Sequence, residues 1–173
     1  MNKLASCFFV VWVLVVPLTA VAQQTCRSES EVPSSIQSSR FSDHGNGTVT
    51  DNATGLVWSK CAAGLSGEAC SHGAGGTYTW QNALDFAAAS GLAGFSDWRL
   101  PNIKELSSIA EQRCSSPAIN GSVFPNTPSS NFWSASAVAA RSDNAWSVNF
   151  YNGSSGSSYR DNSNYVRLVR AGQ

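Results

Sequence analysis

The chain of 173 residues carries 11 basic and 11 acidic side chains, so its formal charge is zero, and only 13% of it is charged. A chain so close to neutral lacks the basic footprint that nucleic acid requires, and it draws its solubility from Ser, Asn and Gly. With 2 histidines, it has little material for a hydrolytic triad or a zinc site.

In chain order, Met1-Asn-Lys3 is a short basic start, residues 4–18 are almost wholly apolar, and Ala20-Val-Ala22 is a small-x-small cleavage site. Residues 1–22 therefore read as a secretory signal peptide cut after Ala22. The apolar run is too short for a stable membrane span. Leu4-Ala-Ser-Cys7 looks like an acylation box, but only three residues precede it, so Cys7 should leave with the leader. What remains, about 150 residues, suits one well-cored domain. The destination is secreted, periplasmic or cell-surface.

Cys26, Cys61, Cys70 and Cys114 remain in the exported chain. An even count there reads as two disulfides, for which three pairings exist. Cys61 and Cys70 bracket a Gly-rich turn and should pair locally, which leaves Cys26 with Cys114. Residues 23–39 show no apolar period and read as an extended lead-in tied down by Cys26. The domain proper is expected over 40–173.

Gly47-Thr-Val-Thr-Asp51 follows an Asn-Gly turn signal and alternates like a strand. A turn at Asp51-Asn-Ala-Thr-Gly55 and a strand at Leu56-Val-Trp58 complete a hairpin. Thr79 should cap a helix starting at Trp80, with Trp80, Ala83, Leu84, Ala87 and Ala88 on one face and Gly91 as the stop. Asn102 and Glu105 form a capping box for a second helix, with Ile103, Leu106 and Ile109 or Ala110 as its buried stripe. After a Pro- and Ser-rich stretch come strand candidates at Phe132-Trp133, 145–151 and 165–170. A hairpin, two helices and a strand-rich second half make an α+β domain.

In the strand read at 146–151, Trp146, Val148 and Phe150 should face the core, and Ser147, Asn149 and Tyr151 should face out. Residues 152–164 read as a loop of Tyr, Ser, Gly and Asn. Tyr supplies a stiff contact surface and the small residues adaptable hydrogen bonding, as in an antibody paratope. The candidate ligand-binding residues are Ser147, Asn149, Tyr151, Ser155, Ser157, Tyr159, Arg160, Asp161, Asn162 and Tyr165.

Catalytic candidates are sparse. No G-x-S-x-G elbow is present, and His44 and His72 read as solvated loop residues. Asp97, Glu105 and Glu111 are the nearest approach to a carboxylate pair, but Glu105 is explained by the helix cap and Asp97 by bonding to backbone or Arg99. No metal is expected. Calcium is the one possible cofactor, with Asp161, Asn162 and Asn164 as ligands, yet neither that stretch nor 43–47 has the full spacing of a calcium loop. Trp58, Trp80, Trp98, Trp133 and Trp146 read as core or semi-core.

Eight segments together resemble the Lcl C-terminal domain family. They are Gly47-Thr-Val-Thr-Asp51, Thr54-Gly-Leu-Val-Trp58, Tyr78-Thr-Trp-Gln-Asn-Ala-Leu84, Asp97-Trp-Arg-Leu-Pro-Asn-Ile-Lys-Glu-Leu106, Pro117-Ala-Ile-Asn120, Phe124-Pro-Asn-Thr127, Phe132-Trp-Ser134 and Tyr165-Val-Arg-Leu-Val-Arg170. The resemblance implies a bacterial exported protein with a C-type-lectin-like fold. It implies that the first and last strands pair, here Arg40-Phe41 with 165–170, that two helices flank the sheet, and that loops of the second half bind ligand. Some family members adhere to sulfated polysaccharides, often as trimers. The collagen-like stalk that builds such trimers and the calcium motifs of sugar-binding C-type lectins are absent here. Residues 134–170 also resemble the variable region of diversity-generating retroelement targets, where Asn codons are randomised. Residues 134–165 hold no Lys, Glu, Gln or Met, the types that an altered Asn codon does not reach.

The expected function is an exported binding or adhesion module, without enzymatic activity, for a glycan or protein ligand; a homo-oligomer is possible. The alternatives are an enzyme related to formylglycine-generating proteins, which would need a reactive cysteine, and a structural envelope or adhesin subunit.

Overall fold

The computed structural model describes residues 24–172, so the leader and Cys7 lie outside the described residues. In chain order the strands before the helices are β1 (Thr25–Cys26), β2 (Phe41–Asp43), β3 (Thr48–Asp51), β4 (Leu56–Ser59), β5 (Leu65–Ser66), β6 (His72–Gly73) and β7 (Thr77–Tyr78). The helices are α1 (Trp80–Ala88) and α2 (Ile103–Ser107). Then follow β8 (Cys114–Ser115), β9 (Asn131–Val138), β10 (Arg141–Asn149), β11 (Ser154–Tyr159), β12 (Asn164–Tyr165) and β13 (Val169–Ala171). They form a five-stranded sheet ordered β11-β10-β9-β12-β7, a four-stranded sheet ordered β13-β4-β3-β2, and the pairs β1-β8 and β5-β6. This is an α+β domain, and both expected disulfides, Cys26–Cys114 and Cys61–Cys70, are present.

The β3–β4 hairpin turns on Asp51, which is fully buried. Its carboxylate accepts from the Arg40 guanidinium, from Thr54 Oγ1 at 2.7 Å and from the Ala53 amide at 3.1 Å. Burial alone would raise its pKa; these bonds outweigh burial and hold it below the ordinary carboxylate value.

Both helix caps form as read. Thr79 Oγ1 accepts from the Asn82 amide, and Asn102 and Glu105 make the reciprocal capping box. The end of α1 differs from expectation. It closes at Ala89, and Gly91 instead opens the 3-10 turn Leu92–Gly94. Ala83 and Ala87 are buried, whereas Ala88 is exposed.

The five-stranded sheet is covered on both faces. Phe132, Val148 and Phe150 join Leu106 and Ile109 in one cluster. Trp133 and Ala145 join Ala83, Ala87, Trp98 and Val166 in the other. Phe132 and Trp133 are consecutive in β9 and so point to opposite faces, which puts α1 and α2 on opposite sides of the sheet.

Strand pairing departs from expectation in two places. Phe41 lies in β2, which pairs with β3 alone, while β13 pairs with β4 at the opposite edge of the four-stranded sheet. The run 165–170 is not one strand. β12 belongs to the five-stranded sheet and β13 to the four-stranded one, with residues 166–168 crossing between them. Arg167 explains the break. It is fully buried, donates from Nη1 to Ser59 O at 2.7 Å and to the Lys60 carbonyl, donates from Nη2 to Thr127 Oγ1 at 2.8 Å, and lies 4.6 Å over the Phe124 ring. Burial pulls its pKa down to about 9, so it remains a cation at neutral pH.

The lead-in is held by more than Cys26. Glu111, only 2% exposed, accepts from Ser34 Oγ, from Ser35 N and Oγ, and from Ile36 N. Burial would raise its pKa; bonds from the Ser34 hydroxyl, the Arg113 amide and Ser35 outweigh it and bring it to about 2. Glu111 is an anchor for the lead-in. Asp97 pairs with Arg170 at 2.6 Å instead of Arg99, and Arg99 pairs with Glu105 at 2.8 Å.

Candidate functional site

Residues 152–164 contain a strand. β11 pairs antiparallel with β10 in unbroken register from Asn144↔Tyr159 to Asn149↔Ser154. The alternation that identifies a strand in β10 is invisible in Ser-Ser-Gly-Ser-Ser-Tyr, because its residues are small and polar on both faces. The turn over residues 150–153 uses Gly153 at φ 78° and is fastened from outside. The Ser116 amide donates to Tyr151 O, and the Phe150 amide to Ser130 O, each at 2.9 Å.

The register sorts the expected binding residues. Ser155, Ser157 and Tyr159 share one face of β11, and opposite them on that face stand Val148, Trp146 and Asn144. Alternation assigns Trp146 to the core; it is half-buried, and Tyr159, a diagonal neighbour, is 60% exposed. Ser155 Oγ lies 2.9 Å from Ser107 Oγ of α2, so α2 borders this face. Asp161 and Asn162 are exposed in the turn beyond Tyr159. Trp146, Ser155, Ser157 and Tyr159 form an uncharged aromatic-and-hydroxyl face, whereas the Asn162 side chain donates to Ser158 Oγ at 3.0 Å, on the other face of β11.

Other candidates fall elsewhere. Alternation assigns Ser147 to the outside, yet it is 4% exposed and donates from Oγ to Gly156 O at 3.3 Å. It points to the face opposite Trp146, beside Ala145, as alternation requires, and is buried because both faces of β10 are covered. Asn149 is half-buried and uses Oδ1 to accept from the Tyr151 amide at 2.8 Å. Tyr151 is 56% exposed but sits at the turn end of the hairpin, roughly 17 Å along the strands from Tyr159 at about 3.4 Å per residue. Tyr165 is not a loop residue; it stacks on Phe132 with ring centroids 5.5 Å apart and packs on the core.

Arg160 is half-buried and structural. Its guanidinium lies 4.3 Å over the Trp80 ring, and its Nε donates to Asn144 O at 3.2 Å. Its carbonyl accepts from the Trp80 amide and its amide donates to Asp143 O, so it fastens the hairpin to the start of α1. Asn164 is buried while Asp161 and Asn162 are exposed, so these three do not converge. Among the described residues no three His, Cys, Asp or Glu side chains cluster as a metal cage would.

Two clefts, of about 600 and 630 Å³, share no residue with the hairpin face. One lies between the turn at 43–47, the Cys61–Cys70 loop, Phe86 and Leu92, with Lys60 bonded to Asp43 at 2.6 Å in its wall. The other lies under the lead-in, around Glu111 and Asn120.

The geometry therefore describes an α+β, disulfide-bonded domain presenting a hairpin face. The family model described as Lcl C-terminal domain matches residues 47–170. The chain belongs to the Lcl C-terminal domain family. No curated protein sequence matches it.

Proposed function

We propose that this chain is an exported binding or adhesion module on a C-type-lectin-like scaffold, and that its ligand, a glycan or a protein, docks on the β10–β11 face. One observation carries the reading: Trp146 and Tyr159 stand together on one face of a hairpin, flanked by Ser155 and Ser157. Tyr159 and Tyr151 are the exposed large hydrophobic side chains of the described residues. Aromatic rings bury much area with little conformational loss, and hydroxyls adapt to a partner. The support beneath is rigid, because β10 is buried on both faces while β11 has small uncharged residues.

Family membership supports binding over turnover. An enzyme related to formylglycine-generating proteins needs a reactive thiol, and Cys26, Cys61, Cys70 and Cys114 are all in disulfides. The exposed positions of β11 also fit a segment diversified by a retroelement, since changes there leave the packed strand beneath untouched.

A glycan array probed with the mature protein, with and without chelator, tests the reading. Binding should survive chelation and fall at least tenfold in Tyr159→Ala. Unchanged binding by Tyr159→Ala and Trp146→Ala would remove the hairpin face from consideration.

A further inference from the structure

Most sheet edges in this molecule are short. β2 is three residues long and includes Asp43, β7 is two residues long, and β13 is three residues long with Arg99 bridged to Val169 beside it. β11 differs. It forms one edge of the five-stranded sheet, runs six residues, and contains neither charge nor Pro. Five of its six residues are exposed. Natural sheets ordinarily blunt such an edge with Lys, Pro, a bulge or a covering segment.

The hydrogen-bond phase shows which groups face outward. The Arg160 amide donates to Asp143 O at 2.8 Å, which makes 143↔160 a bonded pair in the β10–β11 register. Bonded pairs recur every second residue in an antiparallel ladder, at Ala145↔Ser158, Ser147↔Gly156 and Asn149↔Ser154. On the other side of β10, the Phe150 amide donates to Ser130 O. Phe150 and Val148 therefore turn their backbone toward β9, and Ser147 and Asn149 toward β11, the same phase reached independently. The N–H and C=O of Ser155 and Ser157, and the N–H of Tyr159, consequently point away from the sheet. Among the described residues none of them has a hydrogen-bond partner, and Tyr159 O accepts only from the Asn162 amide.

This outward row is symmetric about Ser157. A two-fold axis there sets Ser157 against Ser157 of a second chain, and Ser155 against its Tyr159. The Ser157 pair exchanges N–H···O=C bonds in both directions, the Tyr159 amide of each chain donates to Ser155 O of the other, and each tyrosine meets a serine, so no bulk and no like charge collide. The near-neutral chain adds no long-range repulsion. We infer that β11 is a self-complementary edge through which two copies of this chain pair, joining two five-stranded sheets into one. The inference rests on backbone geometry and holds whether or not the adjoining face binds a ligand.

The test is sedimentation velocity of the mature protein across a concentration series, with Ser157→Pro and Ser157→Lys beside the wild type. Proline at 157 removes an outward N–H and leaves the β10–β11 bonds in place; lysine places a charge opposite its own symmetry mate. The wild type should pass from monomer to dimer as concentration rises, and amide exchange at Ser155, Ser157 and Tyr159 should slow over the same range. Both variants should stay monomeric with unchanged near-UV circular dichroism. If Ser157→Pro fails to fold, Ser157→Lys decides. A wild type that stays monomeric throughout, or a dimer that persists in the folded variants, would overturn the inference.

Discussion

The two hairpins β3–β4 and β10–β11 are built from opposite materials. The first turns on a buried carboxylate held by a guanidinium, a hydroxyl and an amide around Asp51. The second has no carboxylate, cationic side chain or histidine in its paired residues, 144–149 and 154–159. A buried charge fixes position because every departure leaves it unpaired. A free strand of Ser and Gly on a packed neighbour fixes only the backbone and leaves the side chains open to change. Specification by charge and specification by ladder thus coexist in one small domain, and the second kind sits where the ligand is proposed to bind.

Mutation should separate the two. The largest losses belong to the shared support. Phe150→Ala should cost ~3–5 kcal/mol in urea unfolding, because Phe150 is fully buried and packs edge-on to Phe132 at 5.0 Å. Arg40→Ala should fall in the same range, ~3–5 kcal/mol, by leaving the Asp51 charge buried without its partner; a loss under about 1 kcal/mol would contradict the charge-held picture.

Glu111 gives a pH signature. Its pKa is depressed from 4.5 to about 2 in the fold. Its contribution is therefore complete above the unfolded value near 4.5 and disappears as pH falls through about 2. That contribution is on the order of 3 kcal/mol. Glu111→Gln should lose about this much at neutral pH and show a flatter decline through the acid range between those two pKa values, measured by unfolding at each pH. Parallel acid limbs for variant and wild type would show that the anchor lies elsewhere.

Smaller effects belong to the hairpin. Arg160→Ala should cost roughly 1–2 kcal/mol, from the Trp80 contact and the bond to Asn144 O, and Arg160→Lys should recover only part of it. Tyr159→Ala should stay within ~0.5 kcal/mol of wild type while losing ligand. A Tyr159 variant that unfolds would place the ring in the core and end the contrast.

Much of this is readable where chemistry and period agree. The caps at Thr79 and Asn102, the 47–58 hairpin and the local pairing of Cys61 with Cys70 follow from signals only a few residues long. The site is readable in composition but not in shape. Ser-Ser-Gly-Ser-Ser-Tyr has no apolar alternation, so only pairing with β10 makes it a strand. Ser147 is buried instead of exposed because β10 is covered on both faces, and period-two logic assumes a wet side; Trp146 is only half-buried. Arg160, Glu111 and Arg167 take structural posts through partners far away in sequence, which spacing cannot reveal.

The crossing at residues 166–168 has a consequence for biogenesis. β13 completes one sheet, and Arg167 binds carbonyls of Ser59 and Lys60, more than a hundred residues upstream. Both emerge from the ribosome after every other described strand and helix. An early-emerging portion of the domain thus lacks an edge of its four-stranded sheet and the cation that its buried carbonyls require. Such a chain stays unfinished during synthesis, and the last strand sets the moment when folding can close.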